Sequence, residues 1–205
     1  MLLLAFDRLQ TSNTLIGILF GIAKSPDKQQ ILFEEIKKLL PEKNSKLQAE
    51  NMVNLPYLRA CIKEGIRMYP IGPGTGRQTP HEITLSGYRI PPGVDVAMGA
   101  NLQLLQEKFV PNAKQFIPER WLRSENKDNK HVGAIENPFM YIPFGFGPRS
   151  CAGKRIVDLE LEITIARLVR NFSIEFNYSI ENAFKGKFFM APAIPLKFKF
   201  EERSA

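Results

Sequence analysis

The run Phe144-Gly145-Phe146-Gly147-Pro148-Arg149-Ser150-Cys151-Ala152-Gly153 constrains this chain more than any other, because a Gly-rich loop ends on one cysteine and then turns into a helix. Ile156, Leu159, Ile163 and Ala166 recur downstream at helical spacing and predict a helix from Cys151 to about Arg170. At a helix N-terminus, unpaired backbone N–H groups and the positive end of the macrodipole favour a thiolate over a thiol. Gly145, Gly147 and Gly153 permit backbone angles and close approaches that a Cβ resists, so a large flat ligand can lie against this loop. Arg149, two residues before the sulfur, is placed to meet an acidic group of that ligand. A single cysteine without a CxxC partner cannot close a zinc site, whereas a haem iron already holds four nitrogens and needs one axial thiolate. The competing reading of Cys151 is a small buried hydrophobe beside a glycine turn.

Composition narrows the classes. With 205 residues, 44% of them hydrophobic, the chain can bury a core of ordinary domain size. The net charge of +7 comes from dispersed Lys and Arg interleaved with 21 acidic residues, a pattern that does not read as a nucleic-acid binder. A basic patch for an acidic protein or an anionic membrane fits it equally well. Two cysteines far apart exclude a disulfide scaffold, and Cys61 reads as inert core. The apolar runs Met1–Phe6 and Thr14–Ala23 are separated by Asp7, Arg8, Gln10 and Asn13, so they form neither a signal peptide nor a membrane span. The chain opens inside an apparent helix with no capping residue, which reads as a truncated start.

The punctuation predicts helices over Leu2–Ala23, from the Ser25-Pro26-Asp27 cap to Leu40, and over Leu55–Met68. Short strands are expected at 82–90 and 94–99 around the turns Ser86-Gly87 and Pro91-Pro92-Gly93, and again at 172–178 and 195–200. Between them, 107–143 reads as an ordered meander with a polar loop at 123–134.

Phe144, Gly147, Arg149, Cys151 and Gly153 match the signature FxxGxRxCxG, and the segment resembles the haem-binding loop of the cytochrome P450 family. Glu64 and Arg67 share a helical face at i and i+3, a spacing that elsewhere marks a solvated surface pair. Lys63-Glu64-Gly65-Ile66-Arg67 looks like the family's ExxR helix, and Phe116–Trp121 like its PERF/PERW segment. The resemblance implies a buried structural network of Glu64, Arg67 and Arg120 that locks the meander beneath the haem loop. It also implies that Arg77 holds a haem propionate and that Ile71–Thr75 line the substrate pocket. Thr11-Ser12-Asn13-Thr14 resembles the end of the oxygen-activation motif, with Thr11 as the proton-delivering alcohol. Leu9 stands where that motif has an acid; Asp7, one turn from Thr11, can share its face.

The resemblance implies a mainly α fold with small β-sheets, the C-terminal part of the P450 fold, spanning 1–205 with the N-terminal portion absent. It implies a haem-thiolate monooxygenase that inserts one oxygen atom from dioxygen into a small apolar organic substrate, with haem b (iron protoporphyrin IX) bound through Cys151. The context of Arg59, Lys63 and Arg155 is similar to the mitochondrial, insect-like branch, in which basic residues dock a ferredoxin-type electron donor. The implied location is the mitochondrial inner membrane, with membrane association through the absent portion; the alternative is the endoplasmic reticulum with a flavoprotein reductase. Two other functional readings stand beside this one: a non-catalytic truncated or pseudogene-like product, and a basic interaction module that binds an acidic partner without haem.

Overall fold

The computed structural model describes residues 2–48, 51–72, 74–122, 137, 139–176, 184–186, 190–192 and 196–204. The polar loop expected at 123–134 lies outside them. Helix α1 (Leu2–Ala23) has the expected bounds, and α2 (Pro26–Leu39) begins on its proline. Ser25 occupies the N-cap of α2, but its side chain makes no capping hydrogen bond. Helix α3 (Pro56–Met68) likewise starts on a proline. Its cap comes from α2: Glu35 Oε1 accepts from the Tyr57 amide and Oε2 from the Leu58 amide, each at 2.8 Å. A carboxylate from a neighbouring helix thus satisfies two of the donors that every helix start leaves unpaired.

Strand β1 (Thr75–Gln78) is not among the expected strands, because Gly72, Gly74 and Gly76 in and before it are residues that commonly mark turns. It pairs antiparallel with β4 (Asp95–Met98), and Thr75 sits opposite Met98. Between them β2 (Ile83–Leu85) and β3 (Tyr88–Ile90) form a hairpin whose two turn residues, Ser86 and Gly87, both have positive φ (49° and 85°). That mirror-image turn matches the twist of the strands it joins. A four-residue helix, α4 (Ala100–Gln103), follows β4 directly. Helix α5 (Lys154–Asn171) leads into β5 (Phe172–Glu175); β6 (Phe184–Gly186) pairs with β7 (Met190–Pro192), and β8 (Lys199–Glu202) pairs back onto β5. The architecture is mainly α with four two-stranded sheets among the described residues, as expected. None of the described helices is long and apolar enough to cross a membrane.

The core lies where α1, α2, α3 and α5 meet, around Ile18, Ile22, Ile36, Leu58, Leu161 and Ile165, all at most 1% exposed. Helix α1 crosses α3 at van der Waals limit: a Cβ on Gly65 would lie 2.6 Å from Ile18 Cγ1 and 2.9 Å from Ile18 Cα. The buried face of α5 carries Val157, Leu161, Ile165 and Val169. Of the residues that marked this helix in the sequence, only Ala166 joins them; Ile156, Leu159 and Ile163 are 63%, 50% and 36% exposed. The helix has two apolar stripes, and packing on α2 and α3 buries the one through Val157, Leu161, Ile165 and Val169. Cys61 is fully buried, as expected of inert core, and burial pushes its thiol well up.

Candidate functional site

Glu64 and Arg67 lie one turn apart on the buried face of α3, and both side chains are inaccessible to solvent. Arg67 donates to Glu64 through Nε (to Oε2) and Nη2 (to Oε1), both at 2.9 Å, while Arg120 Nε donates to Oε1 at 3.0 Å. The Ile117 amide (3.0 Å) and the Trp121 indole (2.9 Å) complete five donors around one carboxylate. Two guanidinium groups against one carboxylate leave a surplus positive charge, which backbone oxygens absorb. Arg67 reaches the Leu104 and Ala113 carbonyls at 2.7 and 2.8 Å, and Arg120 the Pro111 carbonyl at 3.2 Å. The network therefore straps the irregular segment 104–121 onto α3.

Trp121 carries that strap to the loop. Its ring lies 4.5 Å from that of Tyr141, whose hydroxyl donates to the Lys63 carbonyl at 3.3 Å. From Tyr141 the chain runs directly into Phe144 and the cysteine loop. There the Gly145 amide donates to Ile142 O (2.9 Å) and the Cys151 amide returns to Phe144 O (2.8 Å), closing the loop on itself. Gly145 and Gly147 hold φ of +70° and +68°, which residues with a Cβ rarely adopt. Gly153, at φ −82°, is instead the N-cap of α5. The helix begins at Lys154, so Cys151 stands just ahead of the helix and not within it. Its side chain is exposed and unpaired.

Thr11 of α1, Ile71 from the segment after α3, and Phe144, Gly145, Arg149 and Cys151 from the loop line one open cavity. Gln10, Thr14, Tyr69 and Asn101 line it too, although the motifs did not single them out. Thr14 is identified by its burial and its bond to the Gln10 carbonyl at 3.0 Å, a back-bond any helical threonine can make. Asn101 could not be found from sequence, because its contact depends on how α4 packs. The side chains of Asp7 and Leu9 lie outside the described residues.

A second cavity opens between α3 and α5, lined by Arg59, Lys63, Tyr141, Lys154 and Glu162. Residues 142–145 border both cavities, so this stretch of the loop is the partition between the cysteine side and the α3–α5 surface. Cys151 lines the first of the two cavities only.

The basic residues differ in what they are free to do. Arg77 is exposed and does not line the cavity; its guanidinium donates to Thr75 Oγ1 (2.9 Å) and to the Gly76 carbonyl (2.7 Å) on its own strand. Arg59 is engaged by Glu162 at 2.7 Å and by the Met52 and Val53 carbonyls, and the bond to Glu162 raises its pKa. Lys63 places its ammonium 5.7 Å over the Trp121 ring, and Arg155 is exposed at the start of α5. Among the described residues no three His, Cys, Asp or Glu side chains converge. The metal chemistry open to Cys151 is that of one thiolate completing a coordination sphere supplied by other atoms, and the glycine-shaped loop and adjacent arginine suit a flat group with acidic substituents.

The family profile described as Cytochrome P450 matches residues 10–200. A Drosophila melanogaster protein named "Probable cytochrome P450 12e1, mitochondrial" is 66% identical over 196 residues, which cover 95% of this chain and 37% of that protein. "Cytochrome P450 CYP12A2" of Musca domestica is 47% identical over 197 residues, again 37% of its length. The chain therefore spans little more than a third of these curated relatives. Among solved structures, a cytochrome P450 (CYP102L1) superposes with a TM-score of 0.81 at 25% identity, covering 95% of this chain and 42% of that one. By profile, sequence and fold alike, this chain belongs to the cytochrome P450 family.

Proposed function

We propose that residues 1–205 carry the haem-binding portion of a monooxygenase that inserts one oxygen atom of dioxygen into a small apolar organic substrate. The observation that carries this reading is the shared cavity: an exposed, unpaired Cys151 and Thr11, distant in sequence, line the same space. Haem b would be the group held here, with the Cys151 thiolate as the residue that would bind its iron. When bound, haem would supply dioxygen activation, and a thiolate ligand would donate electron density to its iron.

The chain's own residues do the rest. Phe144 and Gly145 offer a flat apolar surface, Gly147 and Gly153 hold the loop in shape, and Arg149 presents a guanidinium to an acidic substituent. Arg77 meets a second acidic substituent by exchanging its present bonds to Thr75 and Gly76, a swing its exposure permits. Thr11 would hold a proton at Oγ1 beside the cavity, as a relay hydroxyl refilled from solvent water. Glu64, Arg67 and Arg120 act at a distance, by fixing the segment under the loop.

Electrons come from an acidic ferredoxin-type donor, for which Lys63 beside the partition and Arg155 on the exposed surface of α5 supply accessible charge. Arg59 contributes through the field of its pair with Glu162 more than as a free cation. Names of the Drosophila relatives include the word mitochondrial, and on that basis we assign this protein to the mitochondrion, with the inner membrane as the proposed site within it. The test is spectroscopic: reduced, haem-loaded protein under carbon monoxide is expected to show the Soret band of thiolate-ligated haem, and Cys151→Ala to abolish it. Haem uptake without that band in the wild type, or its survival in C151A, would sink the assignment.

A further inference from the structure

One side of the cavity is a short wall between the end of α3 and the start of β1, formed by Tyr69, Pro70, Ile71, Gly72, Gly74 and Thr75. Three contacts fix its position. At its start Tyr69 packs on Gly17 of α1, where an added Cβ would come within 2.7 Å of Tyr69 Cβ. At its end Gly74 presses on the strand opposite, where an added Cβ would meet the Met98 carbonyl oxygen at 1.8 Å. Between these, Asn101 of α4 donates from Nδ2 to the Gly72 carbonyl at 2.9 Å. Asn101 is 6% exposed and lines the cavity itself.

The first and last contacts are shape contacts at glycines, which hold the ends of the wall but leave its middle without a partner. The Asn101 amide supplies that partner. Without it the Gly72 carbonyl loses its donor at the edge of a cavity that Ile71, Ile142, Pro143 and Val157 line together with Thr11, Thr14, Thr75 and Arg149. A carbonyl left without its donor is released to turn, and a turn at Gly72 carries the adjoining Ile71 with it. We propose, on the reading that this cavity seats haem, that Asn101 is a positioning residue: it sets the side wall and thereby the size of apolar substrate admitted beside the iron.

The test compares imidazole with 4-phenylimidazole as ligands of the haem-loaded protein, expressed from its complete transcript and followed by the Soret shift. Imidazole needs only the iron, whereas the phenyl group needs the wall, so the ratio of the two dissociation constants isolates the wall from haem binding. Asn101→Ala should lower the preference for the phenyl ligand by about tenfold, the effect of one lost hydrogen bond, with imidazole affinity unchanged. Asn101→Asp, nearly the same shape but without the donor, should lose at least as much. If N101A fails to hold haem, Asn101→Ser carries the comparison in its place. A ratio within twofold of wild type in these variants overturns the role of Asn101, as does a wild-type ratio in N101D alone, which would reduce the residue to a space-filler. A wild-type protein whose Soret band responds to neither azole overturns the haem reading, and the inference with it.

Discussion

Glu64 accepts from Arg67, Arg120, Trp121 and the Ile117 amide at 2.9–3.0 Å while fully shielded from water. A carboxylate so placed is held by its partners and in turn neutralises them. Glu64→Gln keeps the shape but points an amide nitrogen at donors and leaves two buried guanidinium groups without an anion. The expected cost is about 3–5 kcal/mol, read as a shift of the urea midpoint at constant slope, with loss of haem retention. A cost below about 1 kcal/mol would mean that the carbonyls of Leu104, Ala113 and Pro111 solvate the arginines by themselves. Spacing alone placed Glu64 and Arg67 on one face, because i and i+3 is a local relation. The indole of Trp121 was not legible as a further donor: 57 positions separate it from Glu64, and its orientation depends on Tyr141.

At the scale of elements, helix starts and crossings were decided between helices more than within them. Ser25 and Leu55 both stand at N-caps without making a side-chain cap, and α3 is capped from α2 by Glu35. Glu35→Ala should cost about 1–2 kcal/mol, as loss of a good cap does, and should speed hydrogen exchange at the Tyr57 and Leu58 amides. Glu35→Gln, which retains one acceptor oxygen, should cost roughly half as much. Unchanged exchange at those two amides in E35A would show that water caps the helix equally well. Gly65 of α3 belongs to the same scale, since its missing side chain is what lets Ile18 of α1 approach. The exposed stripe Ile156, Leu159 and Ile163 on α5 shows the limit of periodicity: spacing identifies a helix, but not which of two apolar stripes meets the core.

For the whole molecule, the close packing of α1, α2 and α3 has a consequence in pH. Burial pushes the Tyr57 phenol and the Cys61 thiol up, and Tyr69 up to about 12. These groups keep their protons in the folded chain at pH values where the unfolded chain has lost them, so stability falls as pH rises. The stabilisation is complete below the unfolded values, ~8.5 for a thiol and ~10 for a phenol, and is lost as pH climbs through the folded ones, for Tyr69 through about 12. Urea unfolding between about pH 8 and pH 11 should show a declining free energy, by up to ~1.4 kcal/mol per pH unit for each group titrating. A flat profile across that window would contradict the burial of these residues. The amino-acid sequence by itself determined what is local: the extent of α1, a turn at Ser86 and Gly87, the shared face of Glu64 and Arg67, and a cysteine delivered by a glycine loop. These depend on the φ/ψ freedom and spacing of near neighbours. Tertiary structure alone decided which stripe of α5 is buried, that β1 exists opposite β4, and that Asn101 holds the Gly72 carbonyl. It also brought Thr11 and Cys151 to one cavity. Each of these requires an unpaired backbone group or an apolar face to find its partner across the chain, and packing chooses that partner only when all the elements are present together.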